Sequence, residues 1–412
     1  MSSRRLRAGR ASMLALAALL PAWAPAAAQG RLVGYGTSGL TVMYERWSFG
    51  DGIRQPVRGD EDSVLLDQAS QLSFPIMVRM PLGRQWIVDV SAAYSSGRVD
   101  LAGPDRALNT SRYTLDGITD ARIRATGRLN PTVSITLGLN LPTGRTSLDS
   151  AEQEAFRVLA APALSFQTAR LGTGLAGIAG VVLSRQVGPG WAGALGVSYE
   201  IRGKYEPGAL IPALSSSEYS PSDALRLSAG LDGLVGQHGL TLALSADVYP
   251  NSEEISATQL DEDRLTSHLG PVLSADLQLR IANPSFRELT IYAVDRYRTS
   301  YQAGSTVTGN SAVPESSGNY LDVGVRAVIP SGPRAGILIV PNFRHQTGLK
   351  SDNTLATAGI VSGSVTLGFI REIGTAYLLQ PFVRGQVGRL KSGESAATST
   401  FLAGGVTLGL RF

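Results

Sequence analysis

Along residues 191–202, Trp191, Gly193, Leu195, Val197, Tyr199 and Ile201 alternate with Ala192, Ala194, Gly196, Ser198, Glu200 and Arg202. Side chains alternate faces along a strand, so this stretch presents one apolar face and one small, polar or charged face. The pattern recurs. Val133, Ile135, Leu137, Leu139 and Leu141 alternate with Thr132, Ser134, Thr136, Gly138 and Asn140. Leu273, Ala275, Leu277 and Leu279 alternate with Ser274, Asp276, Gln278 and Arg280, and Leu321, Val323, Val325 and Ala327 enclose Asp322, Gly324 and Arg326.

Sixteen such segments are read, near residues 40–49, 71–81, 85–96, 113–129, 131–143, 174–187, 190–203, 222–236, 238–250, 265–281, 286–299, 317–330, 333–347, 357–373, 374–391 and 398–412. The first, eleventh and thirteenth alternate least cleanly. Short connections rich in Gly, Pro and Asn, such as Leu82-Gly83-Arg84, Gly188-Pro189-Gly190 and Ser331-Gly332-Pro333, take turns with long polar ones at 50–70, 97–112, 144–173, 204–221, 251–264, 300–316 and 348–356. Tight hairpins need those residue types. Short turns at one end and long loops at the other are the plan of a bacterial outer-membrane barrel. The predicted fold is an all-β, transmembrane, antiparallel up-and-down β-barrel of about 16 strands, with 14–18 admitted. A soluble sandwich would explain the alternation, but neither the short–long rhythm nor the scarcity of charge.

Composition agrees. Of 412 residues, 17% are charged and 43% hydrophobic, with 47 glycines and a mean hydropathy of +0.06. A soluble domain carries about 25% charged residues. Without cysteines, the chain has no disulfides, thiolate metal sites or lipid attachment at a cysteine. No segment after the leader has the ~18 apolar residues of a membrane helix.

Residues 1–28 read as a secretory signal peptide: Arg4, Arg5, Arg7 and Arg10, then the apolar run Met13 to Leu20, then Ala26-Ala27-Ala28, with cleavage expected between Ala28 and Gln29. Residues 29–412 form the barrel. The whole chain has 37 basic and 33 acidic side chains, and the leader takes four arginines and no acids, so the remainder is formally neutral. Its charge therefore gives no reason to expect nucleic acid as a partner. The expected location is the outer membrane of a Gram-negative bacterium. The expected partners are outer-membrane lipids, lipopolysaccharide, the barrel-assembly machinery and a small-molecule solute; the oligomeric state stays open. Leu402, Gly404, Val406, Leu408, Leu410 and Phe412 alternate to the carboxyl terminus, and Phe412 is read as an assembly signal.

By parity, the lumen receives Arg79, Asp89, Asp120, Arg122, Arg124, Arg128, Glu200, Arg202, Arg226, Asp232, Asp247, Asp276, Arg280, Arg326, Arg384 and Arg411. Charges at membrane depth must face water or each other. Pairing across strands would stiffen the wall, whereas an unbalanced ladder would set solute selectivity. Arg122 and Arg124, on one face of one strand, are the strongest selectivity candidates. In loop 144–173, Leu148, Ala151, Ala155 and Leu159 suggest a short amphipathic helix capped by Asp149, lying either inside the barrel or on its rim.

No catalytic site, metal site or cofactor is expected. The three histidines, His238, His268 and His345, have no zinc spacing. His268, near the outer mouth, is the one candidate base for a barrel hydrolase. The acidic runs Asp60-Glu61-Asp62 and Asp261-Glu262-Asp263 lack calcium-loop spacing and read as solvated charge.

The hairpin from Gly117-Ile118-Thr119-Asp120 through Leu139-Asn140-Leu141-Pro142-Thr143-Gly144, with Leu171-Gly172-Thr173-Gly174 and Tyr199 to Tyr205, resembles the phenol-degradation (meta-pathway) outer-membrane family, relatives of the long-chain fatty acid transporters. The resemblance covers roughly residues 115–205. It implies fourteen strands and passive uptake of small hydrophobic or aromatic compounds. The fatty acid transporters fill their lumen with an N-terminal hatch, for which Gln29 to Gly39 is too short. A channel is thus the leading reading, and a structural or adhesive barrel with a closed lumen is the alternative.

Overall fold

The computed structural model describes residues 38–56, 63–105, 108–168, 171–205, 217–257, 264–305, 310–315, 317–347, 358–392 and 395–410. The expected signal peptide with its Ala28–Gln29 junction, both acidic runs, Arg411 and Phe412 lie outside these residues.

In chain order the elements are β1 (Ser38–Pro56), β2 (Ser63–Leu82), β3 (Trp86–Asp105), β4 (Thr110–Ile118), β5 (Ala121–Arg128), β6 (Val133–Leu141), α1 (Ser150–Leu159), β7 (Ala176–Gly188) and β8 (Trp191–Arg202). Then come β9 (Ser217–Ser220), β10 (Ala224–Val235), β11 (His238–Val248), β12 (Glu253–Ala257), β13 (Arg264–His268), β14 (Val272–Arg280), β15 (Glu288–Arg298) and β16 (Tyr301–Ser305). The last are β17 (Asn310–Glu315), β18 (Gly318–Gly332), β19 (Ala335–Gln346), β20 (Gly359–Ile373), β21 (Tyr377–Ser392) and β22 (Ser395–Leu410).

Seventeen of these segments make one antiparallel sheet, in which β4 and β5 pair with successive parts of β3 and so count as one interrupted strand. The wall therefore has sixteen strands, as the periodicity predicts and two more than the family resemblance implies. It closes where β1 pairs with β22, from Ser38 opposite Leu410 to Phe49 opposite Ser399. Closure pairs the backbone groups of what would otherwise be two sheet edges, as a strand wall in hydrocarbon requires. All three expected weakly alternating segments are strands of the wall: β1, β15 and β19.

The long connections are more regular than a reading of them as polar loops suggests. β1 and β2 run on to 19 and 20 residues. Beyond the wall, β9, β12, β13, β16 and β17 form a second, five-stranded sheet, in the order β17-β16-β13-β12-β9. These segments continue the chain above wall strands β10 to β18. An antiparallel neighbour is already beside each one, so pairing satisfies backbone groups at little extra loop-closure cost.

The outer face carries exposed apolar side chains, among them Val42, Ile76, Val78, Met80, Leu139, Leu195, Leu244 and Leu367. Aromatic side chains bound this belt. Trp86 and Trp191 sit at its lower edge, each with its ring over a neighbouring glycine, Gly127 and Gly233. Tyr94 and Tyr199, eight residues further up the same two strands, mark the upper edge. Eight residues span ~26 Å along a strand, which is roughly 20 Å along the normal at the usual tilt of such barrels. The long connections emerge above the upper girdle and the tight turns below the lower one. A closed antiparallel wall with this belt is a transmembrane β-barrel of the Gram-negative outer membrane.

Candidate functional site

The lumen is shaped first by the connection between β6 and β7. Asp149 caps α1: its carboxylate accepts from the Glu152 amide at 2.9 Å while the Glu152 carboxylate accepts from the Asp149 amide at 3.0 Å. This reciprocal capping box satisfies two orphan donors at the helix start. The apolar stripe of α1 then needs a partner, and it finds one inside the barrel. Ala155, Val158 and Leu159, with Ala161, Ala163, Leu164 and Phe166 beyond them, are buried against inward-facing Trp47, Phe49, Ile53, Leu66, Val99, Tyr113, Leu115, Ile360, Leu390 and Phe401. Of the two placements open in the sequence, the lumen is the one adopted. A Cβ on Gly97 would lie 2.3 Å from Leu159 Cδ1, so the wall is bare where the helix rests.

Polar contacts fix the descending chain after α1. Trp47 Nε1 donates to the Leu164 carbonyl at 2.9 Å. The Gln71 amide and the Thr168 backbone exchange two bonds, at 2.8 and 2.9 Å. The Glu45 carboxylate accepts from the Gln167 amide at 2.8 Å. Arg344, on β19, donates to the Pro162 carbonyl at 2.7 Å. These are side-chain bonds to backbone groups, so they hold the segment by its path more than by its sequence.

Asp120 holds the two ends of this loop together. It lies in the gap between β4 and β5, three residues after Gly117. Its Oδ1 accepts from the Gly144 amide at 2.8 Å. Its Oδ2 accepts from the Thr173 amide at 2.6 Å, the Thr173 hydroxyl at 3.0 Å and Asn140 Nδ2 at 3.0 Å. Its amide donates to the Leu171 carbonyl at 2.9 Å. A Cβ on Gly144 would fall 2.2 Å from the Leu171 carbonyl oxygen, so only glycine lets the two loop ends meet here. Asp120 was expected among the selectivity residues. It faces inward, but its carboxylate is spent on the loop.

The other inward charges divide into pairs and a cluster. Arg79 pairs with Asp89 at 2.5 Å, Arg226 with Asp247 at 2.5 Å, Arg326 with Glu288 at 3.0 Å, and Arg202 with Glu200 at 3.0 Å along the same strand. Asp232 accepts from the Thr241 hydroxyl at 2.7 Å, and Asp276 from Gln278 at 3.3 Å. Arg280 is exposed near the lower end of β14. Arg384 lies over the Phe401 ring, 5.5 Å from its centroid, and donates to Gln386 at 2.9 Å. The cluster is on β5. Register sets Arg124 beside Asp89, which also serves Arg79, while Arg122 stands opposite Asn140 and Arg128 opposite Ser134. Arg122, Arg124 and Arg128 thus share one inward face of β5, with the Arg79–Asp89 pair beside Arg124.

A second polar wall lies outside the inward set expected from parity. On β15, β18 and β19, the guanidinium carbons of Arg296 and Arg344 lie 6.0 and 5.1 Å from the Tyr320 ring centroid. The Tyr320 hydroxyl donates to Asp322 at 3.1 Å, and Asn342 donates to Asp322 at 2.5 Å. The parity of 320, 322, 342 and 344 carried the signal. It was hidden by Val328, Leu338 and Val340, which are inward, apolar and packed together lower on the same strands.

The histidines are peripheral. His238 accepts from the Ala282 amide in a lower turn at 3.1 Å. His268 is exposed at the top of the barrel, with the Ser252 hydroxyl 3.0 Å from Nδ1. Among the described residues no carboxylate is hydrogen-bonded to the His268 ring, and no group of metal-ligating side chains is present.

No family model matches the chain, and no curated protein matches it in sequence. Similar solved structures are outer-membrane barrels. OprB of Pseudomonas putida is 9% identical at a TM-score of 0.44, over 94% of this chain and 96% of that one. An anion-selective porin from Comamonas acidovorans is 12% identical at 0.35, over 91% and 98%. An outer-membrane channel from Pseudomonas putida F1 is 12% identical at 0.31, over 90% and 95%. At such scores the likeness assigns neither a solute nor a role to any residue.

Proposed function

We propose that the chain is an outer-membrane channel through which small solutes diffuse passively, with a bore narrowed by the loop from Gly144 to Thr173 and an anion preference set on β5. The observation that carries this reading is the asymmetry of the bore. The loop fills the bore against β1 to β4 and β20 to β22, while β5, which continues β4 downward beneath it, sets Arg122, Arg124 and Arg128 on one inward face. A narrow lumen of low-dielectric walls focuses the field of such a cluster. No covalent step or cofactor enters. The finer choice of small hydrophobic or aromatic compounds rests on the resemblance of the Asp120 hairpin to the phenol-degradation family. The bonds from Asp120 of that hairpin to both ends of the loop support this reading.

The test is conductance in a planar bilayer under a salt gradient. Discrete channels with a reversal potential on the anion side are expected. Arg122→Gln with Arg124→Gln keeps hydrogen bonding, removes two charges and should move the reversal potential toward cations at low salt. The shift should shrink at 1 M, where the screening length is about 3 Å. A barrel with neither channels nor solute uptake in liposomes would favour the closed structural alternative.

A further inference from the structure

The outer wall has a feature that the channel reading does not use. On the belt lies an open hollow of about 1050 Å³, edged by Phe343, Val365, Val387 and Leu402 and reaching Arg46 on β1. Its floor is bare because Gly363 and Gly385 face outward there. A Cβ on either glycine would meet nothing within 4 Å, and neither has a positive φ. Neither packing within the chain nor backbone geometry therefore requires glycine at these two positions. The side chains around them are exposed apolar ones, Val387 at 60% and Leu402 at 56%.

Charge stands above this hollow. Arg46 points outward two residues above Tyr44, and register places it beside Leu402 on one strand and Ser70 on the other. Among the described residues it has no acidic partner. Beyond Ser70 comes Arg98, which shares Asp100 with Arg112 at 2.8 Å each, so two guanidiniums meet one carboxylate. Arg46 itself stands just above the upper girdle, at headgroup level, without a carboxylate beside it among the described residues. Arginine there suits a phosphate, which it can grip through two parallel hydrogen bonds.

We propose that this hollow and Arg46 form a binding site for one lipopolysaccharide molecule of the outer leaflet, with acyl chains lying over Gly363 and Gly385 and a phosphate on Arg46. An apolar trough under a cationic rim complements a lipid that is both acylated and phosphorylated. A second copy of the chain would complement the trough, but its own Arg46 face would bring like charge to the rim.

The experiment uses the full barrel refolded in detergent, with heat resistance confirming the fold of each variant. Native mass spectrometry then measures retention of purified lipopolysaccharide, of its dephosphorylated form, and of phosphatidylglycerol. One tightly retained lipopolysaccharide is expected. Arg46→Gln, or removal of the phosphates, should weaken retention by about tenfold, the scale of one lost charge-assisted contact. Arg46→Lys should weaken it less. Gly363→Leu with Gly385→Leu should fill the trough and weaken retention with the rim intact. Equal retention of phosphatidylglycerol, or retention indifferent to both sets of variants, would overturn the proposal. So would a wild-type oligomer that Gly363→Leu and Gly385→Leu dissolve while lipid retention stays unchanged, since the trough would then be a contact between copies.

Discussion

The two sides of the bore are built on opposite rules. On the β1–β4 and β20–β22 side, inward positions hold Trp47, Phe49, Ile53, Val99, Leu115 and Phe401, and they are dry because the β6–β7 loop covers them. On β5, below the loop, and on round the wall to β15, inward positions hold Arg122, Arg124, Arg226, Asp247, Asp276 and their neighbours, which are polar or charged. Strand length follows the same division. β1, β2 and β3 have 19 or 20 residues, while β6, β8 and β14 have 9, 12 and 9. Where a loop folds back inside, the wall rises around it and its inner face becomes a protein core. Elsewhere the inner face stays a solvated surface.

Removing the fastening should abolish the difference most completely. Asp120→Ala deletes the acceptor of four hydrogen bonds that join both loop ends. Bonds to a charged group are worth ~1.5–3 kcal/mol each, with strong non-additivity. A loss of at least ~3 kcal/mol in loop docking is therefore expected. Limited trypsin digestion should begin to cut at Arg145 and Arg157, and single-channel conductance should rise with noisy gating. Conductance and protection equal to wild type would mean that the Trp47, Gln71 and Glu45 contacts hold the loop unaided.

Crowding the contact should act more gently. Gly97→Val places methyl groups where Leu159 now lies. Overpacking of this kind costs ~1–3 kcal/mol. The helix should be displaced while the β2–β3 and β3–β4 pairings persist, so the heat-resistant band should survive with a wider bore. A barrel that no longer closes would show that β3 needs the helix for its own upper half.

How much of this was legible depended on the face. The lipid side was read well because hydrocarbon sets one rule for every strand, and the tight turns carry Gly, Pro and Asn for local reasons. The inner face obeys two rules at once, and one sequence does not say where each applies. β1 alternated poorly because Trp47 and Phe49 are apolar and inward, under the loop. β15 and β19 did so because Tyr292, Val294, Leu338 and Val340 are inward as well. In each case weak alternation was itself the sign of a buried inner surface. The cap at Asp149 was visible because capping is local. The use of Asp120 was not, since its partners Gly144 and Thr173 are 24 and 53 residues away.

The smallest expected effect separates arginines by company. Arg226 and Asp247 face the bore as a close pair with exposures of 16% and 8%. Replacing both, as Arg226→Gln with Asp247→Asn, removes no net charge. Its reversal potential should match wild type, in contrast to the shift expected for the Arg122 and Arg124 double variant. Arg226→Gln alone leaves a buried carboxylate without its cation. It should lower heat resistance, because a buried carboxylate left without its partner is costly, and move selectivity toward cations by less than the β5 double variant, because it removes one charge where that variant removes two. The paired replacement should restore both properties. If it instead shifts selectivity as far as the β5 variant does, the lumen reads each arginine singly, whatever carboxylate stands beside it. The cluster on β5 would then have no special claim.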